Sequence, residues 1–198
     1  NNNSISNVTS FPLVPSGSLK LLATATASAS ASLSFDSTYI NGDYQIYKFE
    51  FVNIHPATDN VNFTFQVDTG TNTNYNQTMT TTYFRTNHNE DDLNSPNVAY
   101  DTGRDQAQGT AFQQIASGVE NDNDASCSGT LTIFNPASTT YVKHFIADSN
   151  CMHEDNVTRN QFIAGYVNTT TALTRVQFKF SSGNIDAGQI KLYGLGAN

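Results

Sequence analysis

The sequence predicts an all-β protein, an antiparallel β-sandwich of the jelly-roll kind with about ten strands and at most one short helix. Three observations carry this. Apolar residues alternate with polar ones along several short segments, as in Val61, Phe63, Phe65 and Val67 against Asn62, Thr64 and Gln66. Turn formers separate these segments at short intervals. The polarity comes from Ser, Thr, Asn and Gln, with charged residues at only 13% of the 198 positions.

In chain order, residues 1–18 are polar and broken by Pro12, Pro15 and Gly17, and they are expected to form a linker or docking arm. A single domain is expected over residues 19–198. The start NNNSIS lacks a Met and reads as processing or truncation. Leu19–Ala31 alternates small and polar residues and reads as a strand, since Ser and Thr compete with helical backbone bonding. Ser32–Phe35 continues as a strand. Asn41-Gly42 signals a hairpin turn before Tyr44–Ile54. That strand is apolar on both faces and so is expected at the centre of the sandwich. Pro56 removes a ladder donor, which makes His55–Asn60 a turn.

Thr78–Thr86 is rich in β-branched and aromatic residues. His88–Gly109 reads as the longest irregular region, and long loops of this kind tend to carry function. Ala111–Val119 fits a short helix or a strand. Ser126–Phe134 and Tyr141–Asn150 form a hairpin about Asn135–Ser138, followed by strands over Arg159–Asn168 and Leu173–Phe180. The chain closes on VQFKFSSGNIDAGQIKLYGLG, two strands joined by a turn at Ser181–Asn184.

The net charge of −8 repels phosphate backbones, so nucleic acid is not an expected partner. No apolar run approaches the ~20 residues of a membrane span. The motifs GxSxG, HExxH, Walker A and GxGxxG are absent, the four glutamates have no distinguishing context, and no enzyme is expected. Cofactors are not expected either. Cys127 and Cys151 fall near the far ends of one hairpin, where a disulfide and two free, half-buried thiols are both compatible with the spacing. With His144 and His153 they offer a zinc set, but no C-x₂-C pair is present and zinc is not expected. The acids at Glu90–Asp92 and at Asp122 and Asp124 read as solvated loops before a Ca²⁺ site, because neither completes the binding pattern. The N-x-[ST] sequons at Asn62, Asn156 and Asn168 count only in a secretory setting. Tyr83, Arg85, His88 and Tyr100, with Tyr75 and Phe84 nearby, are the candidate receptor or glycan surface, where ring faces stack and polar groups hydrogen-bond.

The phrases FEFVNIHPATDNVNFTFQVDTG, TTTYFRT, GTAFQQIASGVENDNDASCSGTLTIFNPASTTYVKHF and FIAGYVNTTTALTRVQFKFSSGNIDAGQIKLYGL resemble a family of structural proteins of tailed phages, common in marine and cyanobacterial phages and mostly of tail-fibre type. The resemblance implies a non-enzymatic module at the virion surface, on tail or capsid exterior, involved in host attachment. It further implies a homo-oligomer, with a trimer favoured, tethered to other virion proteins through residues 1–18 and able to meet host polysaccharide. A capsid or tail decoration (cement) protein and a carbohydrate-binding or carbohydrate-active module are the alternatives.

Overall fold

A computed structural model describes residues 19–93 and 96–197. The N-terminal arm expected over residues 1–18 lies outside the described residues. Twelve strands and no helix are found among the described residues: β1 (Lys20–Thr26), β2 (Leu33–Phe35), β3 (Tyr44–Pro56), β4 (Val61–Thr69), β5 (Met79–Asn89), β6 (Asn97–Tyr100), β7 (Gln113–Val119), β8 (Cys127–Phe134), β9 (Lys143–His153), β10 (Val157–Val167), β11 (Leu173–Phe180) and β12 (Ile185–Ala197). Every pairing is antiparallel.

Hydrogen bonding divides the strands into two layers. The larger runs β1-β12-β3-β8-β9-β10-β5-β6 and the smaller β7-β4-β11-β2, joined at one corner by the single pair Val119↔His153. From β2 to β12 the chain crosses between the layers at nearly every connection, staying in the larger one only for the β5–β6 and β8–β9–β10 hairpins. The four-strand orders β1-β12-β3-β8 and β2-β11-β4-β7 are those of a jelly roll, and β9, β10, β5 and β6 extend the larger layer beyond β8.

Alternation explains the core. Tyr47, Phe49 and Phe51 on β3 face Phe178 and Phe180 on β11 and Phe63 and Phe65 on β4, all at most 3% exposed. Phe178 sits at the centre, with ring centroids of Phe35, Phe49, Phe51, Phe63 and Phe65 between 5.2 and 6.4 Å away. Edge-to-face and offset pairs of this kind add to the effect of area burial alone.

Of the two alternatives over Ala111–Val119, the strand is the one formed: Ile115 packs inward and Gly118 takes φ +64°, which strands tolerate at bulges. Other expectations are corrected. Asn41-Gly42 does not make a hairpin, since β2 pairs β11 while β3 pairs β12 and β8. Strand β3 runs on through Pro56, beside Ile185, after a bulge at Val52–Asn53 with Asn53 at φ +51°. That bulge returns Ile54 to the core side, so β3 is central in hydrogen bonding but is covered on one face only. The final two strands lie in different layers, and Ser181–Asn184 carries the chain between them. His88–Gly109 contains the end of β5 and all of β6.

The larger layer overhangs the smaller. Beyond β7, no strand among the described residues covers the inner face of β5; residues 101–112 close that side instead. Gln106 N donates to Thr81 Oγ1 (2.8 Å), and Gln113 Nε2 donates to Arg104 O (3.0 Å). The inner face of β5 and β10 accordingly mixes polar side chains (Thr81, Arg85, Arg159, Gln161) with apolar ones (Met79, Tyr83, Ile163, Val167), while that of β3 carries mainly aromatic rings.

Candidate functional site

Strand parity decides what each candidate residue can do. On β5 the side chains of Met79, Thr81, Tyr83, Arg85 and Asn87 point inward, and those of Thr80, Thr82, Phe84, Thr86 and His88 point outward. The four candidates therefore separate. Tyr83 is fully buried, its hydroxyl donating to Gln161 Oε1 at 2.8 Å, and burial pushes its pKa up to about 12. Tyr83 is not part of a receptor surface. Arg85 turns inward as well, where its Nε donates to Asp101 Oδ2 at 3.4 Å. Tyr75, at 8% exposure, packs against Phe112. His88 and Tyr100 do face outward. His88 Nε2 lies 3.5 Å from Asp92 Oδ1, and Tyr100 donates to Asp105 Oδ2 at 2.6 Å, a bond that raises the phenol's pKa.

The outer face of the larger layer assembles a site from residues that sequence reasoning did not group. Register places Phe162 of β10 beside Phe84 of β5, and Phe84 beside Tyr100 of β6. Phe84 and Phe162 stack with centroids 4.8 Å apart and planes 17° from parallel. Phe84 is 42% and Tyr100 55% exposed, although rings of this size usually bury themselves. Asp148 of β9 continues the row beside Phe162.

Polar groups flank the rings on one side. A shallow cleft of about 290 Å³ there is lined by Thr86, His88, Val98, Asn150, Thr158 and Asn160. Asn150 Nδ2 donates to Thr158 Oγ1 at 2.9 Å and Asn160 Nδ2 to Asp148 Oδ1 at 3.0 Å, which fixes both amides in place. On the other side lies a more apolar cleft of about 380 Å³ formed by Phe134, His144, Ile146, Ala164 and Tyr166. Rings with fixed amides and hydroxyls beside them can stack on a sugar face and bond its hydroxyls. Period two did not mark them in the sequence, because Phe84 adjoins Tyr83 and Phe162 adjoins Ile163, and either member of each pair could have faced inward.

The cysteines occupy the other face. Cys127 and Cys151 are directly opposed across β8 and β9, both 1% exposed, and both are free thiols. Both side chains are fully buried where half-burial was expected. Burial raises both pKa values, that of Cys151 to about 11, so neither is a ready nucleophile. His144 points outward from β9 while His153 and both cysteines point inward, so the four cannot converge on a metal. His153, Glu154 and Asp155 bring one ligand atom each within 4.8 Å, but His153 alone of them is buried.

No protein-family model, curated protein or solved structure matches this chain.

Proposed function

We propose that this chain is a non-enzymatic attachment module of a tailed-phage virion, displayed at the particle surface as part of a homo-oligomer, that binds host cell-surface polysaccharide through the outer face of its larger layer. The observation that carries the binding is the outward row of exposed Phe84 and Tyr100 with half-buried Phe162, and the amides of Asn150 and Asn160 beside it. The virion setting rests on the sequence resemblance. A shallow face of this kind holds each sugar weakly, and several copies on one particle multiply the contacts into useful avidity.

The test is binding of purified protein to host cells, with and without competing surface polysaccharide. Saturable binding that the polysaccharide blocks is expected. Phe84→Ala should weaken it by roughly fivefold per site, about 1 kcal/mol for one ring, while the protein stays folded with only a modest loss of Tm from the Phe162 stack. Tyr83→Phe, one residue away but facing inward, should leave binding unchanged while costing about 1 kcal/mol of stability. Absence of binding by a folded oligomer would sink the attachment reading and favour a decoration role.

A further inference from the structure

Under the overhang of the larger layer, on the face opposite the aromatic row, three arginines meet with one carboxylate among the described residues. Arg85 Nε and Arg104 Nη1 both donate to Asp101 Oδ2, at 3.4 and 3.0 Å. Arg159 stands diagonally from Arg85 across the β5–β10 ladder, since Arg159 pairs Asn87 and Gln161 pairs Arg85. It is 5% exposed, and its partners are neutral: Nε donates to Asn87 Oδ1 at 3.0 Å and Nη1 to Ser117 Oγ at 3.2 Å. Arg85 Nη1 and Arg104 Nε are buried with no hydrogen-bond partner among the described residues.

Charge does not balance there. Three guanidinium cations face a single carboxylate, while the chain as a whole carries −8. Buried charge is costly unless paired, and an unsatisfied buried donor adds to the cost. Cys151, Ser117, Gln161 and the ring of His153 lie around Arg159, and none of the four supplies a negative charge. Arg85 and Arg104 expose 23% and 28% of their side chains, so the cluster is reached from solvent on the side of residues 101–104.

We propose that the cluster of Arg85, Arg104 and Arg159 binds a small inorganic anion from solvent, held by the guanidinium donors that Asp101 leaves unmatched. The site is independent of the glycan-binding face, because its side chains point to the other side of β5 and β10. Its role is to complete the charge balance that lets residues 101–112 close the overhang. Halide and oxyanion share this chemistry; planar forks favour an oxyanion, and tight quarters favour a halide.

The experiment measures the Tm of the full chain in chloride, bromide, sulfate and phosphate at one ionic strength, with gluconate as the bulky reference anion. The Tm is expected to rise saturably with at least one of the small anions. The rise should vanish in Arg104→Gln and persist in Arg175→Gln, which removes one charge elsewhere. A bromide-soaked crystal should show an anomalous peak in contact with these guanidiniums when halide is the ligand, and difference density from a sulfate or phosphate soak should do so when it is an oxyanion. Identical Tm values in all the anions, or density at the cluster in none of the soaks, would overturn the proposal. Should Arg104→Gln fail to fold, the soaked wild-type crystals decide alone.

Discussion

At the scale of single residues, His153 has the most exposed consequence. Its ring is buried beneath Gly118, and its Nδ1 accepts from Asp155 N at 3.1 Å. Burial, reinforced by Arg159 of β10, lowers its pKa to about 4; Asp155 opposes the shift, while Arg104 and Arg85 add to it. The unfolded chain titrates this imidazole near 6.5, so between about pH 6.5 and 4 the unfolded state binds a proton that the folded state refuses. Stability is therefore full above pH 6.5 and falls as pH drops through that window, by up to about 3 kcal/mol. Urea midpoints at pH 7.5 and 4.5 should differ clearly less in His153→Gln than in the wild type, and an unchanged difference would refute this. The residue scale is also where the sequence was least legible. In TTTYFRT two aromatics adjoin, and periodicity alone cannot say which one faces inward. A slip of one position exchanges the faces. The inward place goes to Tyr83, whose hydroxyl has Gln161 to bond, and the outward place to Phe84, which has Phe162 to stack on.

Among elements, β4 and β11 were legible because alternation runs through Val61–Val67 and Val176–Phe180, and the structure pairs them in register from Arg175↔Asp68 to Phe180↔Phe63. Strand β6 was hidden. It has four residues, and its Val98 and Tyr100 stay exposed, so no inward pattern marks it. The end of β3 was hidden by a rule correctly applied: Pro56 cannot donate to a ladder, yet it can occupy the last place of a strand. Strand β7 was ambiguous because its bulge breaks the period. Gly118 there takes φ +64°, and a Cβ at this position would collide with the His153 ring. Gly118→Ala should cost about 2–3 kcal/mol, from strain and displacement together. Thermal unfolding checks this; a loss under 0.5 kcal/mol would mean that the corner between the layers yields freely.

For the molecule as a whole, one aromatic cluster joins both layers, and Phe178 touches five other rings in it. Phe178→Ala should cost about 3–5 kcal/mol while leaving a single unfolding transition by both tyrosine fluorescence and far-UV circular dichroism. Two separated transitions would show that the layers unfold independently. The sandwich class was legible from composition and alternation together. The unequal sizes of the layers were not, because which strands pair depends on contacts far apart in sequence: β12 lies between β1 and β3. The aromatic row on the outer face belongs to this scale too, since its members come from β5, β6 and β10. Successive members stand on adjacent strands, so their spacing is that of main-chain hydrogen bonding, about 4.8 Å. The backbone is thus the ruler and the side chains are only its marks. Substitution can erase a mark or change what it reads, but cannot move it, so a change of ligand must come by rewriting residues at fixed intervals.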